Sequence, residues 1–228
     1  MKKNTMMRVA SALMVAVLLT TCAISGTFAK YTTADSGSDF ARVAKFGVAI
    51  EAESFDMFTE KYAKDDATAT FTGSYSVESA DGDDVLAPGT SGSFADIAIT
   101  GTPEVAVKVE IVADVEVSDN WSVDGDFYCP VVVTVGTEKI SGLDYTSATA
   151  FAAAIKAEIE GKSAQYAPNT DLSAVYNTTN LDLAWAWAFE GEEGGKQTDA
   201  KDTALGDKAV AEDLTISIGV EIAVTQID

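Results

Sequence analysis

Long runs of this chain alternate apolar and polar residues with a period of two, which restricts them to strands that bury one face and expose the other. Leu181, Leu183, Trp185, Trp187 and Phe189 share one face against Asp182, Ala184, Ala186, Ala188 and Glu190. Near the end of the sequence, Leu214, Ile216, Ile218, Val220, Ile222 and Val224 stand against Thr215, Ser217, Gly219, Glu221 and Thr225. Val105, Val107, Val109 and Ile111 point away from Lys108 and Glu110. Phe40, Ala44, Phe46, Val48 and Ile50 occupy even positions interrupted by Arg42, with Lys45, Glu51 and Glu53 on the odd face. For the five large side chains of residues 181–189 a core face is the expectation, rather than an aromatic platform for a ligand.

Further strands are predicted over residues 69–77 and over 93–100, the latter carrying Phe94, Ile97 and Ile99. Residues 130–135 are apolar enough for a central strand that starts at an edge proline, Pro130. Asp81-Gly82-Asp83-Asp84 and Pro88-Gly89-Thr90-Ser91-Gly92 are turn chemistry. One helix interrupts the pattern at about residues 148–160: Ser147 or Thr149 caps it, Phe151, Ile155 and Ile159 recur every four residues, and Gly161 ends it. Its narrow apolar stripe predicts a lid on the sheets. Residues 163–180 and 192–202 read as an exposed polar loop and a charged loop. Together these elements predict an all-β fold, an antiparallel jelly-roll-like β-sandwich of about eight strands with one inserted helix, in a single domain over residues 43–228.

Residues 1–29 have the layout of a cleavable secretion signal: Lys2, Lys3 and Arg8, then an apolar run from Val9 to Leu19, then small residues. Thr27 and Ala29 place the cut after Ala29, so that the mature chain starts at Lys30. An uncleaved anchor is one rival reading, because the apolar run stretched to Phe28 approaches the roughly 20 residues of a spanning helix. Thr20, Thr21, Ser25, Gly26 and Thr27 dilute it. A lipoprotein cut before Cys22 is the other, and Thr21 is bulkier than the residue such a cut requires. Residues 30–42 read as a small, polar, flexible arm.

The signal holds three of the 15 basic residues and none of the 36 acidic ones, leaving 12 against 36 and a net charge of −24. A surface of that sign repels nucleic acid and anionic lipid. Only Cys129 remains after processing, so no disulfide forms within the chain; in Phe127-Tyr128-Cys129-Pro130 it reads as a small buried hydrophobe.

The sequence contains no histidine, which removes the commonest general base and the imidazole-dependent nucleophile pairs and zinc sites. It carries no phosphate-cradling glycine loop and no nucleophile elbow. Its many carboxylates single out no catalytic pair. Calcium is the only metal with a case, through Asp81, Asp83 and Asp84 and through Asp119, Asp124 and Asp126 around glycines. Neither cluster follows the spacing of a calcium-binding loop, and acidic turns are the preferred reading. No cofactor is expected.

Gly26-Thr27-Phe28-Ala29 followed by Lys30-Tyr31-Thr32-Thr33, then Ala41-Arg42-Val43-Ala44-Lys45-Phe46, resembles the TasA and camelysin family of bacterial matrix proteins. Ala87-Pro88-Gly89-Thr90 leading into strands through residues 102–111, and the terminal strand of residues 214–226, extend the likeness in order and pattern. The resemblance implies export through a SipW-type signal peptidase and a jelly-roll sandwich. It further implies extracellular fibres in which the mature N-terminal segment is donated as a strand to the neighbouring subunit. On that reading Lys30, Tyr31, Phe40, Phe46, Val48 and Ile50 are the assembly residues. The partners are further copies of the chain, and other matrix components beside them. Camelysin-like members are also classed as metallopeptidases, for which this chain offers no visible ligand set.

The sequence therefore points to a secreted, non-enzymatic structural subunit of an extracellular matrix or cell surface. The alternatives are a monomeric adhesin module that binds polysaccharide or a host ligand through residues 163–180 and the acidic loops, and a secreted carboxylate-dependent hydrolase. The intact mass of the exported protein is expected to correspond to a chain beginning at Lys30. A species that retains residues 1–19, or carries an acylated Cys22, overturns that expectation.

Overall fold

The computed structural model describes residues 32–35, 47–51, 57–58, 61–64, 76–78, 84–94, 97–176, 181–189 and 195–227. Its strands begin with β1 (Thr32–Asp35), β2 (Val48–Glu51), β3 (Lys61–Lys64), β4 (Ser76–Glu78), β5 (Thr90–Phe94), β6 (Ala98–Gly101) and β7 (Val107–Val117). A short hairpin of β8 (Ser122–Val123) and β9 (Asp126–Phe127) precedes β10 (Val131–Val135) and β11 (Glu138–Ser141). Helix α1 (Ala148–Glu160), β12 (Ala164–Tyr166), α2 (Leu172–Val175), β13 (Leu183–Trp187), α3 (Asp199–Ala209) and β14 (Ile216–Gln226) complete the chain. Residues Thr32–Asp228 form one compact unit. No helix among the described residues is long and apolar enough to cross a membrane.

Every pairing among the described residues is antiparallel. A four-stranded sheet has the order β1-β14-β7-β12 and a six-stranded sheet the order β11-β10-β13-β5-β3-β4, with β2-β6 and β8-β9 as separate pairs. The alternation read from the sequence accounts for the buried faces. Val107, Val109, Ile111 and Ala113 of β7 and Ile216, Ile218, Ile222 and Val224 of β14 are buried, whereas Glu110, Asp114, Glu116, Ser217, Gly219 and Glu221 are exposed. In the larger sheet Val131, Val133 and Val135 lie opposite Trp187, Trp185 and Leu183 in register, and all six are buried. These faces belong to one continuous core that also takes in Val48, Ile50, Ile97 and Ile99 of the β2-β6 region. Burying each large apolar side chain of this kind contributes about 1.5–3 kcal/mol.

Helix α1 matches its predicted bounds. Ser147 Oγ accepts from Ala150 N at the N-cap, Gly161 stands at the C-cap, and Phe151, Ile155 and Ile159 are buried. The helix packs on β7 and also touches β10 and β11, so it bridges the two larger sheets rather than lying over one of them.

Several expectations are corrected. Residues 93–100 are not one strand: β5 and β6 sit in different sheets, and β5 starts at Thr90, inside the stretch read as a turn. Within the exposed loop expected over residues 163–180, the described residues 163–176 are built into the fold. Ser163 is followed by β12, which pairs with β7, and by α2, whose Leu172 is buried beside Tyr176. Tyr166 Oη donates to Tyr176 Oη, which donates to the Lys162 carbonyl, fastening this segment down. Residues 192–202 run into α3, which starts at Asp199 behind a Thr198 N-cap. The arm expected to be flexible contains strand β1. Phe189 is 54% exposed, so four of the five large residues expected on one face, Leu181, Leu183, Trp185 and Trp187, are in the core. Of the strand expected over residues 69–77, residues 69–75 lie outside the described residues.

Gly92 on β5 lies against the indole of Trp185: a Cβ added there would stand 2.5 Å from Trp185 Nε1 and 2.6 Å from the Met57 carbonyl. Those two atoms are hydrogen-bonded to each other at 3.0 Å, and the Trp185 ring also stacks on Phe58. Gly92→Ala is expected to break that bond and destabilise the fold by on the order of 2 kcal/mol, measured by denaturant unfolding. An unchanged midpoint contradicts this packing.

Candidate functional site

Two features of the molecule go beyond core packing: the edges of the four-stranded sheet, one partly uncovered and one closed, and a buried carboxylate at the start of α3.

At the first edge, β1 pairs with β14 in the register Thr32↔Thr225, Thr33↔Val224, Ala34↔Ala223 and Asp35↔Ile222. It covers four of the eleven residues of β14, while β7 pairs with all eleven on the other side. At the opposite edge β7 is closed by three devices. β12 pairs with residues 107–109, Ser163 Oγ accepts from Ile111 N (2.9 Å) and donates to Ile111 O (3.2 Å), and Glu160 Oε1 accepts from Ala113 N (3.3 Å). The serine hydroxyl and the glutamate carboxylate thus stand where a neighbouring strand's peptide groups would stand.

The sequence-predicted assembly residues divide. Val48 and Ile50 lie on β2, each 5% exposed, opposite Gly101 and Ile99 of β6. Their apolar face is therefore buried within the chain's own core. Thr27, Ala29, Lys30, Tyr31, Phe40 and Phe46 lie outside the described residues, as do Asp81 and Asp83. Asp84, Asp119, Asp124 and Asp126 are exposed. Asp124 and Gly125 have φ of 56° and 91° and form the two-residue turn between β8 and β9, which is the conformation that an Asp-Gly pair favours in a hairpin. Among the described residues no group of three or more His, Cys, Asp or Glu side chains is arranged to hold a metal ion.

The buried carboxylate is Asp202, which the sequence reading left in a loop. It accepts from Tyr128 Oη at 2.6 Å and from Gln197 Nε2 at 2.8 Å, and Trp187 Nε1 approaches it at 3.4 Å. Lys201 Nζ lies 5.0 Å from the centre of the Tyr128 ring. Asp202 also falls in the first turn of α3, where the helix dipole favours negative charge. Burial, and after it the bond to Asp202, pushes the Tyr128 phenol above its usual range; burial and the bond with Tyr166 do the same for Tyr176. Both raise the folded-state value, so their contribution to stability is present below the ordinary tyrosine value near 10 and is lost as pH rises beyond it. Next to Tyr128, Cys129 is fully buried and its thiol is pushed up to about 12, which keeps it from acting as a nucleophile at neutral pH. The only signal in the sequence for Asp202 was the Thr198-Asp199 cap. Apart from the acid itself, Leu205 is the one buried side chain of α3, too little to produce an apolar stripe.

The geometry makes Asp202 a tie between α3 and the strands, with every donor to it drawn from the chain itself. Asp202→Ala is expected to cost on the order of 3 kcal/mol, because it leaves buried donors without their charged acceptor, and Tyr128→Phe about 2 kcal/mol, because it takes one donor from the buried carboxylate. Denaturant unfolding of both variants and their combination tests this; additive losses in the double variant would contradict the direct contact. Comparison of the chain with protein-family models, with curated proteins and with solved structures returns no match.

Proposed function

We propose that this protein is a secreted structural subunit that assembles into extracellular fibres by exchanging its N-terminal strand between copies, and that its fold is a jelly-roll-like sandwich. The observation that carries the reading is the position of β1. It is a four-residue strand at a sheet edge, supplied by the beginning of the chain to the strand that ends it. A strand so short makes few bonds, and the same bonds form equally well on β14 of a neighbour, which is the condition for exchange. Residues 36–39, which follow β1, are Ser-Gly-Ser-Asp, all small and polar. At about 3.3 Å per residue, the eleven residues 36–46 between β1 and Gly47 can reach about 36 Å, enough to carry β1 to an adjacent subunit.

Two larger antiparallel sheets that contribute to one core support the sandwich. The three-part N-terminus supports export by a signal peptidase of the SipW type, and the resemblance to the TasA and camelysin family supports the matrix role. A mature charge of −24 opposes self-association in low salt, so assembly is favoured by salt or acid that screens or neutralises the carboxylates. The sequence has no histidine to serve as a general base.

Deleting residues 30–39 is expected to leave a soluble β-rich monomer and abolish fibres, compared with the parent by circular dichroism and electron microscopy across salt and pH. Unchanged fibres from the truncated protein sink strand exchange. A parent that stays dispersed under every condition sinks the fibre reading itself.

A further inference from the structure

In an antiparallel pair, residues alternate between bonding to the partner strand and pointing their peptide groups away from it. Ile111 gives both its N–H and its C=O to Ser163, so it points away from β14, and so does its register partner Ile222 on the far side of the pair. Ala113, bonded to Glu160 and opposite Val220, agrees. By the same parity Val224 and Ile222 face β1, and Val220, Ile218 and Ile216 direct their N–H and C=O groups to the same side beyond the end of β1. Among the described residues nothing pairs with residues 216–221 on that side.

This stretch lacks the features that guard exposed strand edges. Residues 214–220 read Leu-Thr-Ile-Ser-Ile-Gly-Val, with no charge, no proline and three β-branched residues whose backbone groups point outward. In a chain this acidic, seven uncharged residues at an edge are conspicuous, and the opposite edge of the same sheet is closed by β12, Ser163 and Glu160.

We infer that residues 216–220 of β14 form a docking edge for the same edge of a second copy, joining the two four-stranded sheets into one across a two-fold axis at Ile218. The stretch is complementary to itself. With Ile218 opposite Ile218 of the second copy, Ile216 meets Val220, and the outward groups of these residues make about six backbone hydrogen bonds. On the solvent face Ser217 meets Gly219 of the second copy, and Glu221 meets Thr215, so no two carboxylates stand opposite each other. The contact uses a stretch of β14 separate from the one that β1 covers, and it does not require strand exchange. An edge contact of this size is weak and must work against the net charge, so the dimer is concentration-dependent and strengthened by salt.

The test uses charge reversal at the facing positions of the mature chain. Ser217 and Gly219 are exposed, and a Cβ on Gly219 would make only ordinary contacts with Asp114, at 3.8 Å, so both positions accept substitution. Sedimentation equilibrium in high salt is expected to show a dimer for the parent. The Ser217→Lys/Gly219→Lys and Ser217→Glu/Gly219→Glu proteins should each have a dissociation constant raised by roughly tenfold or more, and an equimolar mixture of the two should associate at least as tightly as the parent. Hydrogen exchange supplies a readout independent of substitution: the Ile218 and Val220 amides should exchange quickly in dilute parent protein and slow down on dimerisation, while those of Gly219 and Glu221 stay protected by β7 throughout. A monomeric parent at high concentration, variants that associate as the parent does, or Ile218 and Val220 amides already protected in the monomer would each overturn the inference.

Discussion

The eleven-residue ladder between β7 and β14 is the constraint from which the rest of the four-stranded sheet follows. Once Ile111 is set opposite Ile222, the pleat fixes which side chains enter the core and which peptide groups face outward at each edge. A slip of one residue would send Val107, Val109 and Ile111 to solvent and bring Lys108 and Glu110 into the core, an arrangement the apolar contacts cannot compensate. The edge chemistry depends on the same register. Ser163 and Glu160 fit β7 only because Ile111 and Ala113 turn their peptide groups toward them.

Among the described residues each indole, and the one buried acid, is paired with a defined acceptor or donor. Trp121 Nε1 donates to the Thr215 carbonyl, Trp185 Nε1 to the Met57 carbonyl, and Trp187 Nε1 toward Asp202. Trp121 and Trp187 also meet edge to face, with ring centres 5.8 Å apart. Each such bond joins segments distant in sequence, so these large rings fix the relative placement of strands as well as filling volume.

The parts of this architecture legible in the sequence were those with a strong period. The faces of β7, β13 and β14 follow from alternation, β10 from its apolar run, and the helix from Ala148 to Glu160 from four-residue spacing and a Ser cap. What escaped was set by partners far away in the chain. β12 is three residues, Ala164, Gln165 and Tyr166, too few for a period to appear, and it is a strand because the edge of β7 lies beside it. α3 has a single buried apolar residue, Leu205, and is held instead by Asp202, whose partners Tyr128 and Trp187 come from other elements. The division of residues 93–100 between two sheets is equally a tertiary result. The edge residues Ser163 and Glu160 were hidden for the same reason, since a glutamate that ends a helix and a serine just after it usually belong to solvent.

The order of β7 and β14 in the chain also governs when the fold can form. Their paired residues are separated by about 110 positions, so the central ladder is a contact of very high sequence separation. Until β14 has been synthesised, β7 has no partner for its longest side and β1 has nowhere in its own sheet to lie. A nascent polypeptide therefore lacks its central ladder until residues 216–226 have been made. Closing so long a loop before the ladder can reward it makes this sheet slow to form.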